Sequence, residues 1–131
     1  LIRYRMSDRV QLSSGYCACG RGGTILSSVM GRQADFAHTI DGEPVLAHYF
    51  QFVIHQLNFE QRKSVLRYQV EQRGHSFIFR LEVGEGWSSS SQTRLRALMA
   101  DRFPGQDVLV EIGPLEVGGK FRNFLPDLDR R

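Results

Sequence analysis

Three short stretches carry residues whose chemistry is worth tracing. They are the lysine that ends Gly118-Gly119-Lys120, the aspartate that ends Tyr4-Arg5-Met6-Ser7-Asp8, and the arginine within Gly31-Arg32-Gln33-Ala34-Asp35. Paired glycines reach φ values that most residues avoid, which predicts an exposed, adaptable loop carrying Lys120. An ammonium on such a loop is a movable cation with three donors. Asp8 is an acceptor at neutral pH, and Arg32 presents a planar five-donor fork. Each residue alone also has a plainer reading. Lys120 is then a solvated surface lysine, Ser7-Asp8 supplies a turn, and Arg32 pairs with Asp35.

The elements that must position these residues follow from length and pattern. A chain of 131 residues predicts one domain with a core of its own. Hydrophobic content of 41% and charged content of 24% are ordinary for a globular protein. The net charge is +3 and the basic residues are mixed with acids, so the composition gives no support for a general nucleic-acid binder. No apolar run approaches the ~20 residues of a membrane span. Leu1-Ile2-Arg3-Tyr4-Arg5 is charged and lacks the apolar region of a secretory signal. Cys17 and Cys19 are too close for an easy disulfide and too few for a disulfide framework. The expectation is a reducing, cytoplasmic protein, and the opening Leu1 suggests a piece of a longer one.

Ser88 to Ser91 reads as a helix start, with Ser89 and Gln92 as a capping box. Leu95, Leu98, Met99 and Phe103 form its buried stripe, and Pro104-Gly105 ends it. An earlier helix is predicted from Pro44, with Leu46, Phe50, Val53 and Leu57 inward and Asn58 near its end. Leu66, Tyr68 and Val70 alternate with polar residues, as do Phe77, Phe79 and Leu81; Arg73-Gly74-His75 makes them a hairpin. Thr24 to Met30 and Val108, Val110 and Ile112 complete the set. The order strand, helix, strand, strand, helix, strand predicts an α+β, ferredoxin-like βαββαβ sandwich, an antiparallel sheet with two helices on one face. Residues 1–23 read as a separate, short β segment.

With these positions in hand, the three stretches resemble motifs of adenylate-forming enzymes. Tyr4 to Asp8 resembles their Tyr-Arg-Thr-Gly-Asp motif, Gly31 to Asp35 their Gly-Arg-x-Asp-Asp hinge, and Gly119-Lys120 their C-terminal Gly-Lys. Cys17-Ala18-Cys19-Gly20-Arg21 before the hinge resembles the phenylacetate–coenzyme A ligase branch, including relatives associated with capsular polysaccharide genes. The resemblance implies that a carboxylic acid is activated with ATP and Mg²⁺ to an acyl-adenylate, then passed to a thiol acceptor, usually coenzyme A. It implies that residues 1–31 end a large N-terminal adenylation domain and approach the hinge. Residues 32–131 would be the C-terminal lid, inactive alone, with its own N-terminal domain as partner. Asp8 and Arg32 would bind the nucleotide, Lys120 would be catalytic, and Ala34 and Asp35 would form the hinge. Arg122 would hold the lysine's loop.

Two departures qualify this. Ala34 stands where the family has an acid or a lysine, so it can rotate but cannot hydrogen-bond through its side chain. Thr39 to Pro44 replaces a basic, glycine-rich loop that faces the thiol, and only Gly42 fits; acceptance of coenzyme A stays open. A degenerate, non-catalytic lid serving as a protein-interaction module is one alternative. An RNA-recognition module is another, since Arg73, Gly74 and Phe77 match its third-strand motif. His75 and Arg80 stand where that motif needs aromatics, and Phe77, Phe79 and Leu81 are expected to face the core. Cys17 and Cys19 supply half of a zinc site at most. His48 and His55 lie ~10.5 Å apart along a helix, too far to share an ion. Trp87 with Gly84 and Gly86 reads as a ligand platform or as packing beside the second helix.

Overall fold

A computed structural model describes residues 8–32, 35–116 and 121–127. It divides into two units, one ending at Asp35 and one beginning at Phe36.

The first unit is an antiparallel hairpin of β1 (Asp8–Tyr16) and β2 (Gly22–Arg32). Its connection is closed by Gly20 N–H donating to the Cys17 carbonyl at 2.8 Å and Cys17 N–H donating to the Arg21 carbonyl at 3.2 Å. Val10, Leu12, Leu26 and Val29 are exposed here. A two-stranded hairpin buries too little to be stable by itself.

The second unit has the expected α+β, ferredoxin-like architecture. A four-stranded sheet carries two helices, with β segments ahead of it. Two short strands come first, β3 (Phe36–His38) and β4 (Pro44–Leu46), paired antiparallel. They are followed by α1 (His48–Glu60), β5 (Val65–Arg73), β6 (Ser76–Val83), α2 (Ser89–Arg102), β7 (Asp107–Ile112) and β8 (Phe124–Leu125). Sheet order is β7-β6-β5-β8. Only β5 and β6 are antiparallel; β7 runs parallel to β6, and β8 parallel to β5. The sheet is therefore mixed, not wholly antiparallel. Thr24 to Met30 does form a strand, but within β2 of the first unit; the fourth strand of this sheet is the two-residue β8, at its β5 edge.

The inner face of the sheet carries Val70, Phe77, Phe79 and Leu81, all fully buried, and both helices pack on it. Phe50 of α1 lies at the centre. Its ring is 5.3 to 6.0 Å from those of Phe77, Phe79, Phe103 and Phe124. These are favourable separations for tilted and offset aromatic pairs. The predicted stripe of α2 is buried throughout. Its start is capped by Ser88 with Ser91, one residue off the expected pair, and the Ser88 N–H donates to Ser91 Oγ at 3.0 Å.

The first helix begins at His48 instead of Pro44, which lies in β4 opposite His38. Its cap, Ala47, makes no side-chain capping bond, so the sequence held no polar signal for this start. Asn58 ties the helix to β5: its amide donates to the Val65 carbonyl at 2.9 Å, and its oxygen accepts from Val65 N–H at 2.8 Å. Trp87 packs partly buried against the core. Gly84 and Gly86 are explained by close approach, since a Cβ at either would collide with the carbonyl of Lys63 or Arg62 respectively.

Candidate functional site

Asp8 and Arg32 stand opposite one another at the open end of the hairpin. Their pairing depends on two irregularities. The ladder runs evenly from Tyr16 opposite Gly22 to Leu12 opposite Leu26. Continued without interruption, it would set Asp8 against Met30. One shift between Gln11 and Leu12 and another between Arg9 and Val10 carry it to Arg32 instead. Bulges of this kind re-aim side chains at strand ends. Ser27, the residue skipped at the first shift, donates its hydroxyl to the Gln11 carbonyl at 2.8 Å. Arg32 Nε lies 3.9 Å from Asp8 Oδ1, with side-chain exposures of 69% and 33%. At that distance the contact is an ion pair without a mutual hydrogen bond. The pairing expected as the plain alternative, Arg32 with Asp35, is replaced by this one. Asp35 itself is exposed.

Ala34 and Lys120 lie outside the described residues, but the segments on either side of 117–120 are described. On the incoming side, Leu115 N–H donates to Glu82 Oε1 at 2.7 Å. On the outgoing side, the Arg67 guanidinium lies over the Phe121 ring, 4.9 Å from its centroid. Gln69 donates to the Arg122 carbonyl at 3.1 Å, and Val70 N–H donates to the Asn123 carbonyl at 2.7 Å. Arg122 thus joins this region through its backbone, and its side chain is exposed. Asp127 accepts from Gly74 N–H at 2.8 Å. Arg67 and Glu82 face each other across β5 and β6 and form an ion pair of 3.4 Å.

Gly42 occupies the turn between β3 and β4 at φ 86°, a left-handed conformation that favours glycine. Its N–H donates to the Thr39 carbonyl at 2.9 Å, and Glu43 N–H donates to Thr39 Oγ1 at 3.0 Å. The turn accounts for this glycine locally.

Cys17 and Cys19 are free thiols, both exposed in the hairpin connection. Hydrogen bonds from the Cys19 backbone and side chain hold the Cys17 thiol below its ordinary pKa. Among the described residues no three or more His, Cys, Asp or Glu come together as a metal site. His48 and His55 are exposed on α1. No described helix is long and apolar enough to cross a membrane.

Phe77 and Phe79 have no exposed surface, so the strand that resembles an RNA-recognition motif turns its aromatics into the core. Base stacking needs them outward. Sequence reasoning also missed an open cleft between the C-terminal end of α2 and β7, lined by Arg96, Phe103, Gln106 and Val108 among others. Gln106 Oε1 is buried and accepts no hydrogen bond among the described residues.

No family model matches the chain and no curated protein matches it. Among solved structures, it is similar to the crystal structure of a 2-hydroxyisobutyryl-CoA ligase in the postadenylation state with R3-HIB-AMP, at 16% identity and a TM-score of 0.47. The match covers 94% of this chain and spans 28% of that one.

Proposed function

We propose that this chain is the C-terminal lid, with the strands leading into it, of an ATP-dependent, acyl-adenylate-forming carboxylate ligase. The phenylacetate–coenzyme A ligase branch is the one its motifs resemble. The observation that carries the reading is the Asp8–Arg32 pair. The acid of one motif and the guanidinium of the next meet across a ladder whose two bulges align them. Both are exposed enough to meet a ligand, and their chemistry fits a nucleotide. In this reading Asp8 accepts hydrogen bonds from ribose hydroxyls, and Arg32 steadies the ribose or phosphate side. Lys120 sits between the carboxylate and the α-phosphate, holding two mutually repelling anions together and offsetting charge as the adenylate forms.

In this reading Mg²⁺ is a partner of the nucleotide, coordinated mainly by its phosphates. It would arrive with ATP and be held by the N-terminal adenylation domain. The acyl pocket belongs to that domain too, and the acceptor is a thiol, with coenzyme A its usual form. The reaction would be cytoplasmic. RNA binding finds no support in a strand whose aromatics are buried. The test is carboxylate-dependent pyrophosphate release, measured for the parent protein and for the 131-residue chain alone. Release is expected from the parent only; turnover by the isolated chain would overturn the lid reading.

A further inference from the structure

We infer that Cys17 and Cys19 form a thiol–disulfide exchange site for small anionic disulfides of the glutathione type. They are the only cysteines of the chain, and both are exposed. The turn that carries them is closed by two backbone bonds. Gly20 N–H donates to the Cys17 carbonyl at 2.8 Å, and Cys17 N–H donates to the Arg21 carbonyl at 3.2 Å. The first bond makes Cys17 to Gly20 a β-turn, with Cys19 at its second central position. Gly20 ends the turn at φ 85°, a left-handed value that favours glycine. Residues two apart span at most ~7 Å when extended, and a turn shortens that. The two cysteines therefore stand within the Cα separation of ~4.4–6.8 Å that a disulfide needs.

The turn also chooses the nucleophile. The Cys19 backbone N–H, the Cys19 thiol and the Ala18 N–H converge on the Cys17 sulfur and hold its pKa below the ordinary value. More of Cys17 is then thiolate at neutral pH, and the thiolate is the attacking species. The surrounding charge selects the partner. Arg21 is exposed directly after the turn, and residues 9 to 34 include no Asp or Glu. A cation with no nearby acid in the chain favours an anionic disulfide at the encounter.

The exchange runs in two steps. The Cys17 thiolate attacks one sulfur of the small disulfide; a Cys17 mixed disulfide forms, and the other half leaves as a thiolate. Cys19 then gives up its proton to solvent and attacks the Cys17 sulfur. The Cys17–Cys19 bond forms and the second half leaves. Two electrons pass from the cysteine pair to the small disulfide, which ends as two thiols. A disulfide between residues two apart closes a small, strained ring. Strained and exposed disulfides are the labile ones, so this bond suits reversible exchange and not structural support.

The test is mass spectrometry of the reduced 131-residue chain during treatment with oxidised glutathione at neutral pH. The wild type is expected to lose two hydrogens and retain no glutathione. Cys19→Ala should capture one glutathione and keep it, and Cys17→Ala should do so roughly threefold more slowly, because the gain in thiolate outweighs the loss of nucleophilicity. In urea, where the turn is lost, that difference should vanish. A wild type that ends with a glutathione on each cysteine would overturn the site. Equal rates for the two variants, or a difference that survives in urea, would overturn the role of the turn. Arg21→Gln tests the partner: it should slow oxidised glutathione relative to cystamine, a cationic disulfide, at low ionic strength. An unchanged ratio would overturn the anionic preference.

Discussion

Asp8 faces Arg32 because β2 skips a residue twice on its way past β1. The pair is long, 3.9 Å, and Arg32 is largely exposed. Ion pairs of this kind contribute about 0–1 kcal/mol to stability. Arg32→Ala should therefore leave the thermal midpoint of the chain almost unmoved, while lowering carboxylate-dependent pyrophosphate release by the parent protein. A large loss of stability with activity retained would assign Arg32 to structure alone. Calorimetry and the release assay on the same variant separate the two.

Glu60 and Arg94 join the two helices through parallel bonds of 2.7 and 2.8 Å. Hydrogen bonds from Arg94, then from Gln56, hold the Glu60 carboxyl at about 2, against an ordinary 4.5. A depressed carboxyl stabilises the fold above its unfolded pKa and loses that contribution as pH falls toward its folded one. Stability should decline between about pH 4.5 and 2 in the wild type, and less steeply in Arg94→Met. Parallel pH profiles of the melting temperature would contradict this.

Gln72 is a buried polar side chain with a specific duty. Its oxygen accepts His38 N–H at 3.0 Å and its amide donates to the His38 carbonyl at 2.8 Å, tying β3 to β5. Gln72→Leu keeps the volume but removes both bonds. It should destabilise the chain by about 1–3 kcal/mol in urea unfolding. A neutral result would mean that β3 docks without this tie.

Gly86 has no room for a methyl group, because the Arg62 carbonyl occupies the space. Gly86→Ala should cost about 1–3 kcal/mol through forced backbone movement. Trp87 fluorescence provides a local readout, since the indole packs at the core's edge. If Gly86→Ala instead leaves stability intact, the turn is more compliant than its contacts indicate.

The sequence was readable where one period ran without interruption. Leu95, Leu98, Met99 and Phe103 recur at helical spacing and all are buried. Alternation misled where a strand changed step. Alternation sets Leu66 on one face with Tyr68 and Val70, yet it is 60% exposed and Val65 is buried, because the β5 ladder shifts between Val65 and Arg67. One extra residue turns the chain over, and no composition signal marks it. Apolar residues of β2 looked like a core strand, but alternation cannot say which sheet a strand joins. A two-residue strand such as Phe124-Leu125 leaves no periodic trace at all.

The candidate site was legible in its parts and less so in its assembly. Asp8 and Arg32 could be singled out by type and motif. Their partnership could not, because an even hairpin ladder would have set Asp8 against Met30. Arg67 and Glu82 read as ordinary polar residues of two alternating strands; that they meet Phe121 and Leu115 depends on segments distant in sequence.

The most direct measurement of the central claim is carboxylate-dependent pyrophosphate release by the parent protein carrying Lys120→Ala. A cation aimed at charge developing in the transition state is worth roughly 10²–10³ in rate, and a loss of that size in kcat is predicted. Wild-type kcat in the Lys120→Ala protein would contradict it.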